Sequence, residues 1–158
     1  MELDPEYALA YVGIADYYNW ATIFGFYTPR VGYQKTKGAV LRALEIDDQL
    51  AEAIAVLAFI TAFSEYNWAE AERLIKRSLE LNPNYSLTHE WYAAMLAGTG
   101  RNDEAYREIT TSLGLDPLSL RAVTLTAWTL YQIRRYPEAL AKAEEILTMN
   151  PTYYQGFF

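Results

Sequence analysis

Apolar residues recur three and four positions apart along most of this chain, the spacing of helices that bury one face. Between Ala51 and Ser64 the pattern is carried by Ile54, Leu57, Ala58 and Thr61. Between Ala69 and Leu81 it is carried by Ala71, Leu74, Ile75, Ser78 and Leu79. Comparable pairs occupy Leu87 to Ala97 with Asp103 to Leu115, and Leu120 to Ile133 with Pro137 to Met149. No stretch alternates apolar and polar residues for long enough to read as a half-buried strand. The pattern predicts an all-α chain of paired helices.

The pairs repeat at a fixed interval. Leu81-Asn82-Pro83-Asn84-Tyr85, Leu115-Asp116-Pro117-Leu118-Ser119 and Met149-Asn150-Pro151-Thr152-Tyr153 are similar strings whose prolines lie 34 residues apart. Leu3-Asp4-Pro5-Glu6-Tyr7 is a further copy, and Ile46-Asp47-Asp48-Gln49-Leu50 is another with Asp48 in the proline slot. The step from Asp48 to Pro83 is 35 residues, one more than the period, and the step from Pro5 to Asp48 is 43, about nine more. Each Asp/Asn-Pro step ends one helix and admits the next, because the residue before a proline is pushed out of the α region. A period of this length is the mark of a stacked-repeat architecture.

The residues at fixed slots within each unit resemble the tetratricopeptide repeat (TPR) family. Tyr11, Ile14, Ala15, Tyr18, Val40, Ala43 and Asp48 fill its signature positions in the first unit. Ile54, Leu57, Ala58, Thr61, Ala71, Ile75 and Pro83 fill them in the second, and His89, Tyr92, Ala93, Leu96, Ala105, Ile109 and Pro117 in the third. Val123, Ala127, Leu130, Tyr136, Ala139 and Pro151 do so in the fourth. The resemblance implies an all-α, right-handed superhelical solenoid of antiparallel helix pairs. Its boundaries would be 1–7 for the tail of a preceding repeat, then 8–50 with an insertion at about 20–28. The remaining units would be 51–85, 86–119, 120–153, and 154–158 for the start of a further helix. The run Tyr66-Asn67-Trp68-Ala69-Glu70-Ala71-Glu72-Arg73 with Leu79 to Tyr85 and His89 to Tyr92 is similar to repeat regions of bacterial signalling and regulatory proteins.

Composition removes several alternatives. The 158 residues include 20 acidic and 13 basic side chains, a net charge of −7, which argues against a non-specific grip on nucleic acid. There is no cysteine and one histidine, so thiolate metal sites and cysteine nucleophiles are excluded and His89 reads as a packing residue. Gly98 and Gly100 read as a helix–helix turn with no phosphate-cradling lysine behind them. Neither a catalytic constellation nor a cofactor or metal motif emerges, and the expectation is a chain that is not an enzyme. The longest uncharged run, Tyr17 to Pro29, is 13 residues and too short to span a bilayer. The first residues lack the pattern of a signal peptide, which favours a cytoplasmic setting.

In the resembled family the first helices line a concave groove. The slots that would face it hold Asp16 and Trp20, Glu52, Phe59 and Phe63, Glu90, and Arg121, Trp128 and Tyr131. These residues predict a peptide- or protein-binding scaffold with aromatic anchors, and three acids against Arg121 predict a partner of basic character. The insertion, Trp20 to Thr28, is aromatic where a surface loop should be polar, and it predicts either a lengthened first helix folding over the groove or packing on the neighbouring repeat. A pocket walled by it would favour a second function, a small-ligand sensor array serving an output domain outside this segment. Self-association through apolar ends is the third, since Phe157-Phe158 is unlike the polar cap that ends natural arrays. Both ends therefore predict a segment of a larger protein.

Overall fold

The computed structural model describes residues 6–153, and the segments expected as flanking repeat scraps, 1–5 and 154–158, lie outside the described residues. Eight helices account for the described chain, with no strand among these residues. The chain divides into two compact units, one up to Pro83 and one from Asn84. Repeat units bury their faces against near neighbours in sequence, so a long continuous core is not required.

Unit 1 holds α1 (Ala8–Ile23), α2 (Pro29–Ile46), α3 (Ala51–Phe63) and α4 (Trp68–Leu81). Small side chains let these helices approach closely. Ala15, Ala43, Ala53, Ala55, Ala58 and Ala71 are all fully buried, with Ile60, Ile75, Val40 and Val56 filling the space between them. Ser78 on α4 donates its hydroxyl to the Ala51 carbonyl at 2.9 Å, which satisfies a buried polar group across the α3–α4 pair.

Unit 2 holds α5 (Ser86–Gly98), α6 (Asn102–Leu115), α7 (Leu120–Gln132) and α8 (Tyr136–Met149). Its core repeats the same chemistry with Ala93, Leu96, Ala105, Ile109, Ala122 and Val123. The turns within the pairs recur as well. Gly100 and Arg134, 34 residues apart, both adopt positive φ, at 80° and 65°. Behind them, the amides of Arg101 and Arg135 each donate to the carbonyl five residues earlier at 2.9 Å. Arg101 and Arg135 then reach forward to Glu104 and Glu138, one turn into the following helix. Acids at those positions also suit the positive end of the helix.

The two departures from the 34-residue period are visible in the elements. The single extra residue sits in the turn of Ser64, Glu65 and Tyr66, which is one longer than the Thr99-Gly100 and Ile133-Arg134 turns. The longer insertion is not a separate loop. It lengthens α1 to 16 residues and α2 to 18, against 13 and 14 in the second pair, and the rest extends the turn between them. The first helix is thus lengthened, and only Phe24 to Tyr27 lie in a turn proper.

Two helices are capped by side chains among the described residues, α4 by Asn67 and α7 by Ser119, each accepting from an amide at 3.3 Å. Asn67→Ala is expected to lower stability by about 1 kcal/mol in urea denaturation. Thr28→Ala, at the start of α2 where no side-chain cap bond forms, is expected to change it by a few tenths at most. Equal effects at the two positions would contradict this account of the caps.

Candidate functional site

The residues expected to line a groove do not share one environment. In unit 1, Phe59 and Phe63 lie one turn apart on α3 with ring centroids 5.0 Å apart. Phe59 continues to Tyr33 of α2 at 6.3 Å, and Phe63 meets Trp68 of α4 edge-on at 5.7 Å. Four rings from three helices therefore form a ladder in which both phenylalanines are half-buried. Asp16 is half-buried one turn before Trp20, and Trp20 stacks on Phe24 at 6.0 Å. Glu52 accepts a hydrogen bond from the Asn82 amide at 3.4 Å.

Unit 2 gives a different picture for its charged members. Glu90 is buried with its side chain 0% exposed, ion-paired to Arg121 of α7 and accepting from the Ser112 hydroxyl of α6 at 3.3 Å. Burial pushes the Glu90 carboxyl above its usual range, against the opposing pull of Arg121 and Ser112. Two of the four residues expected to give the groove its charge are spent on each other, so they offer no net charge to a partner. That removes one of the three acids on which a preference for basic peptides rested.

The aromatic members of unit 2 are placed otherwise. Trp128 stacks on Tyr131 with centroids 5.9 Å apart and planes 27° from parallel, and Tyr131 continues to Tyr136 of α8 at 5.6 Å. Trp128 is 44% and Tyr131 57% exposed, so these rings are fixed by one another and still open to solvent. Trp91, by contrast, lies on the first helix of its pair and is buried in the core. His89 is buried too, with Nδ1 2.7 Å from Glu108 Oε2.

The insertion makes a second aromatic surface in unit 1. Tyr17, Trp20, Ala21, Phe24, Phe26 and Tyr27 surround an open depression of about 570 Å³. Phe26 is 80% exposed, while Tyr27 packs edge-on against Tyr18 at 5.7 Å. Lys35 of α2 lies 5.0 Å above the Tyr18 ring, a cation–π contact that covers the flank of the cluster. Sequence reasoning missed a neighbouring cavity of about 730 Å³ between the start of α2, the end of α3 and the α3–α4 turn. Its signals in the chain are the extra residue in that turn and Arg30 in the first turn of α2. Among the described residues no three His, Asp or Glu side chains gather to hold a metal ion, and no helix is long and apolar enough to cross a membrane.

Helix pairs closed by alanine contacts, with a period of 34 residues and left-handed turn residues in register, define the all-α helical repeat of the TPR fold. The comparisons agree on that fold. PilF of Pseudomonas aeruginosa superposes with a TM-score of 0.70 at 22% identity over 91% of this chain and 61% of its own. YrrB, a TPR protein with an unusual peptide-binding site, gives 0.61 at 20% identity over 95% of this chain and 72% of its own. PilW, a type IV pilus biogenesis factor, gives 0.70 at 18% identity, covering 94% of this chain and 64% of its own. In sequence, the transcriptional regulator HilA of Salmonella paratyphi A is 25% identical over 151 residues. That match covers 95% of this chain and 27% of HilA, so the chain spans about a quarter of that relative's length. No protein-family model matches the chain.

Proposed function

We propose that this chain is a non-catalytic peptide-binding repeat, a working part of a larger bacterial regulatory protein, and that its anchors are the exposed stacked rings of Trp128 and Tyr131. The stack itself is the observation that carries the reading. Two large side chains held nearly parallel in water have little rotamer freedom left to lose, so a partner can bury them at low entropic cost. Few residues dominate most interfaces, and rigid aromatic side chains are prominent among them. In unit 1 the half-buried ladder of Phe59 and Phe63 offers a second apolar ledge. YrrB's peptide-binding site and the regulator HilA lend support from the comparisons.

The basic partner expected from charge now rests on Asp16 and Glu52 alone, and it is not part of the proposal. The test is a random-peptide phage library panned against the whole chain, with selected peptides then titrated against Trp128→Ala and Tyr131→Ala. Each substitution is expected to weaken binding about tenfold or more, at 1–2 kcal/mol per anchor, with the melting temperature little changed because both rings are exposed. Selected peptides that bind both variants as tightly as the parent would overturn this assignment of the anchors.

A further inference from the structure

The charge of this chain is unevenly spread. From Tyr17 to Leu44 there is no aspartate or glutamate, while Arg30, Lys35, Lys37 and Arg42 all fall within that stretch. All 20 acidic residues lie outside it. Folding engages three of these four cations, two of them with carboxylates. Arg42 is engaged by Glu45 at 2.9 Å and Glu6 at 3.8 Å, and Lys37 is paired with Glu65. Lys35 sits over the rings of Tyr18 and Tyr27. Arg30, exposed in the first turn of α2, has no carboxylate partner among the described residues.

Arg30 lines the 730 Å³ cavity, together with Lys37, Ser64, Glu65 and Tyr66. Phe63, Ile60 and the ring of Tyr33 supply apolar lining. One wall comes from the α3–α4 turn, where this repeat carries one residue more than the turns of unit 2. Glu65 of that turn pairs with Lys37, so Arg30 carries the cavity's unpaired positive charge. A guanidinium fork in the same cavity as apolar lining suits a carboxylate attached to a bulky hydrocarbon neighbour, because the fork takes both oxygens while the lining takes the apolar group. The volume falls within the range of sites that hold a side chain or small ligand.

We propose that this cavity, lined by Arg30 together with Tyr33, Ile60 and Phe63, is a subsite for the side-chain carboxylate of an Asp or Glu flanked by a large apolar residue in a peptide partner. The proposal rests on the peptide-binding reading above, and shares Phe63 with its unit 1 ledge. It draws nothing from the first-helix slots that suggested a basic partner. Nucleic acid fits less well, since one unneutralised arginine and a lysine already shared with Glu65 do not make the basic stripe that a phosphate backbone needs.

The random-peptide library, displayed without a free C-terminus, decides the matter when panned on the whole chain. Selected peptides are expected to carry Asp or Glu next to Phe, Leu or Trp. Replacing that acid with its amide should weaken binding about tenfold, as should Arg30→Glu in the protein, whereas Arg30→Lys, which keeps the charge and loses the fork, should weaken it less than Arg30→Glu does. Raised salt should weaken the parent complex and leave the amide peptide's binding nearly unchanged. Selected peptides indifferent to Arg30→Glu, or lacking an acid, would overturn the subsite while leaving the Trp128 anchors intact. Tighter, Arg30-dependent binding of a single-stranded oligonucleotide would also overturn it. A library yielding no peptide at all would overturn both readings.

Discussion

Arg121→Met is expected to cost about 3–5 kcal/mol of stability at neutral pH, the penalty of stranding a buried carboxylate. Glu90 has no exposed side-chain surface, and its charge is met by Arg121 and by the Ser112 hydroxyl. Methionine keeps the apolar stem of Arg121, so the loss isolates the guanidinium rather than the packing. The pH dependence carries the sign. Burial raises the Glu90 carboxyl above its ordinary 4.5, Arg121 and Ser112 lower it, and Asp116 adds to the rise. Without Arg121 the raising causes stand almost alone, so the folded state takes up a proton more readily than the unfolded one. Stability of the variant should therefore recover as the pH falls from neutrality toward 4.5, and it should be lost again as the pH rises through the folded value. Urea denaturation across that range measures it. Glu90→Gln placed on top of Arg121→Met should restore much of the lost stability at neutral pH, since a neutral amide costs far less to bury than a charge. A deficit that ignores pH and persists in the double variant would mean that Glu90 is not the source.

That pair also marks where the sequence stops being informative. Helix pairs, their period and their turn positions were legible because each depends on residues within one turn of one another, or on the period itself. Gly100 and Arg134 fall where the pattern puts a turn, and the extra residue counted between Asp48 and Pro83 falls in the Ser64–Tyr66 turn. Glu90 and Arg121 are 31 residues apart, and slot counting places both on first helices without saying that they meet. The aromatic candidates divided for a related reason. Spacing gives the face of a helix, whereas exposure depends on what the neighbouring helix brings. Phe59 and Phe63 are half-covered by Tyr33 and Trp68, while Trp128 and Tyr131 are covered chiefly by each other. Net charge was similarly blind to position, since a total of −7 conceals a stretch from Tyr17 to Leu44 with no acid in it.

Gly32→Ala is expected to destabilise unit 1 by about 3 kcal/mol, although the same change inside most helices is favourable by up to about 1 kcal/mol. Gly32 lies buried within α2 where that helix crosses α1. A Cβ there would fall 1.6 Å from Thr22 Oγ1, 2.7 Å from its Cβ and 2.9 Å from its Cγ2. Rotating the threonine offers little relief, because its own Cβ is already too close and its hydroxyl is tied to the Tyr18 carbonyl at 2.6 Å. The backbone of one helix must therefore move, and this pair carries the Phe24–Tyr27 turn and, two residues before Gly32, Arg30. Moving the glycine to the other helix, as Thr22→Gly with Gly32→Ala, removes the collision at the cost of one helical glycine. The double variant should be more stable than Gly32→Ala by at least 1 kcal/mol, a coupling that a double-mutant cycle reads directly in urea. If Gly32→Ala melts at or above the parent temperature, α1 and α2 are not held at this distance, and the position of Arg30 loses its support with them.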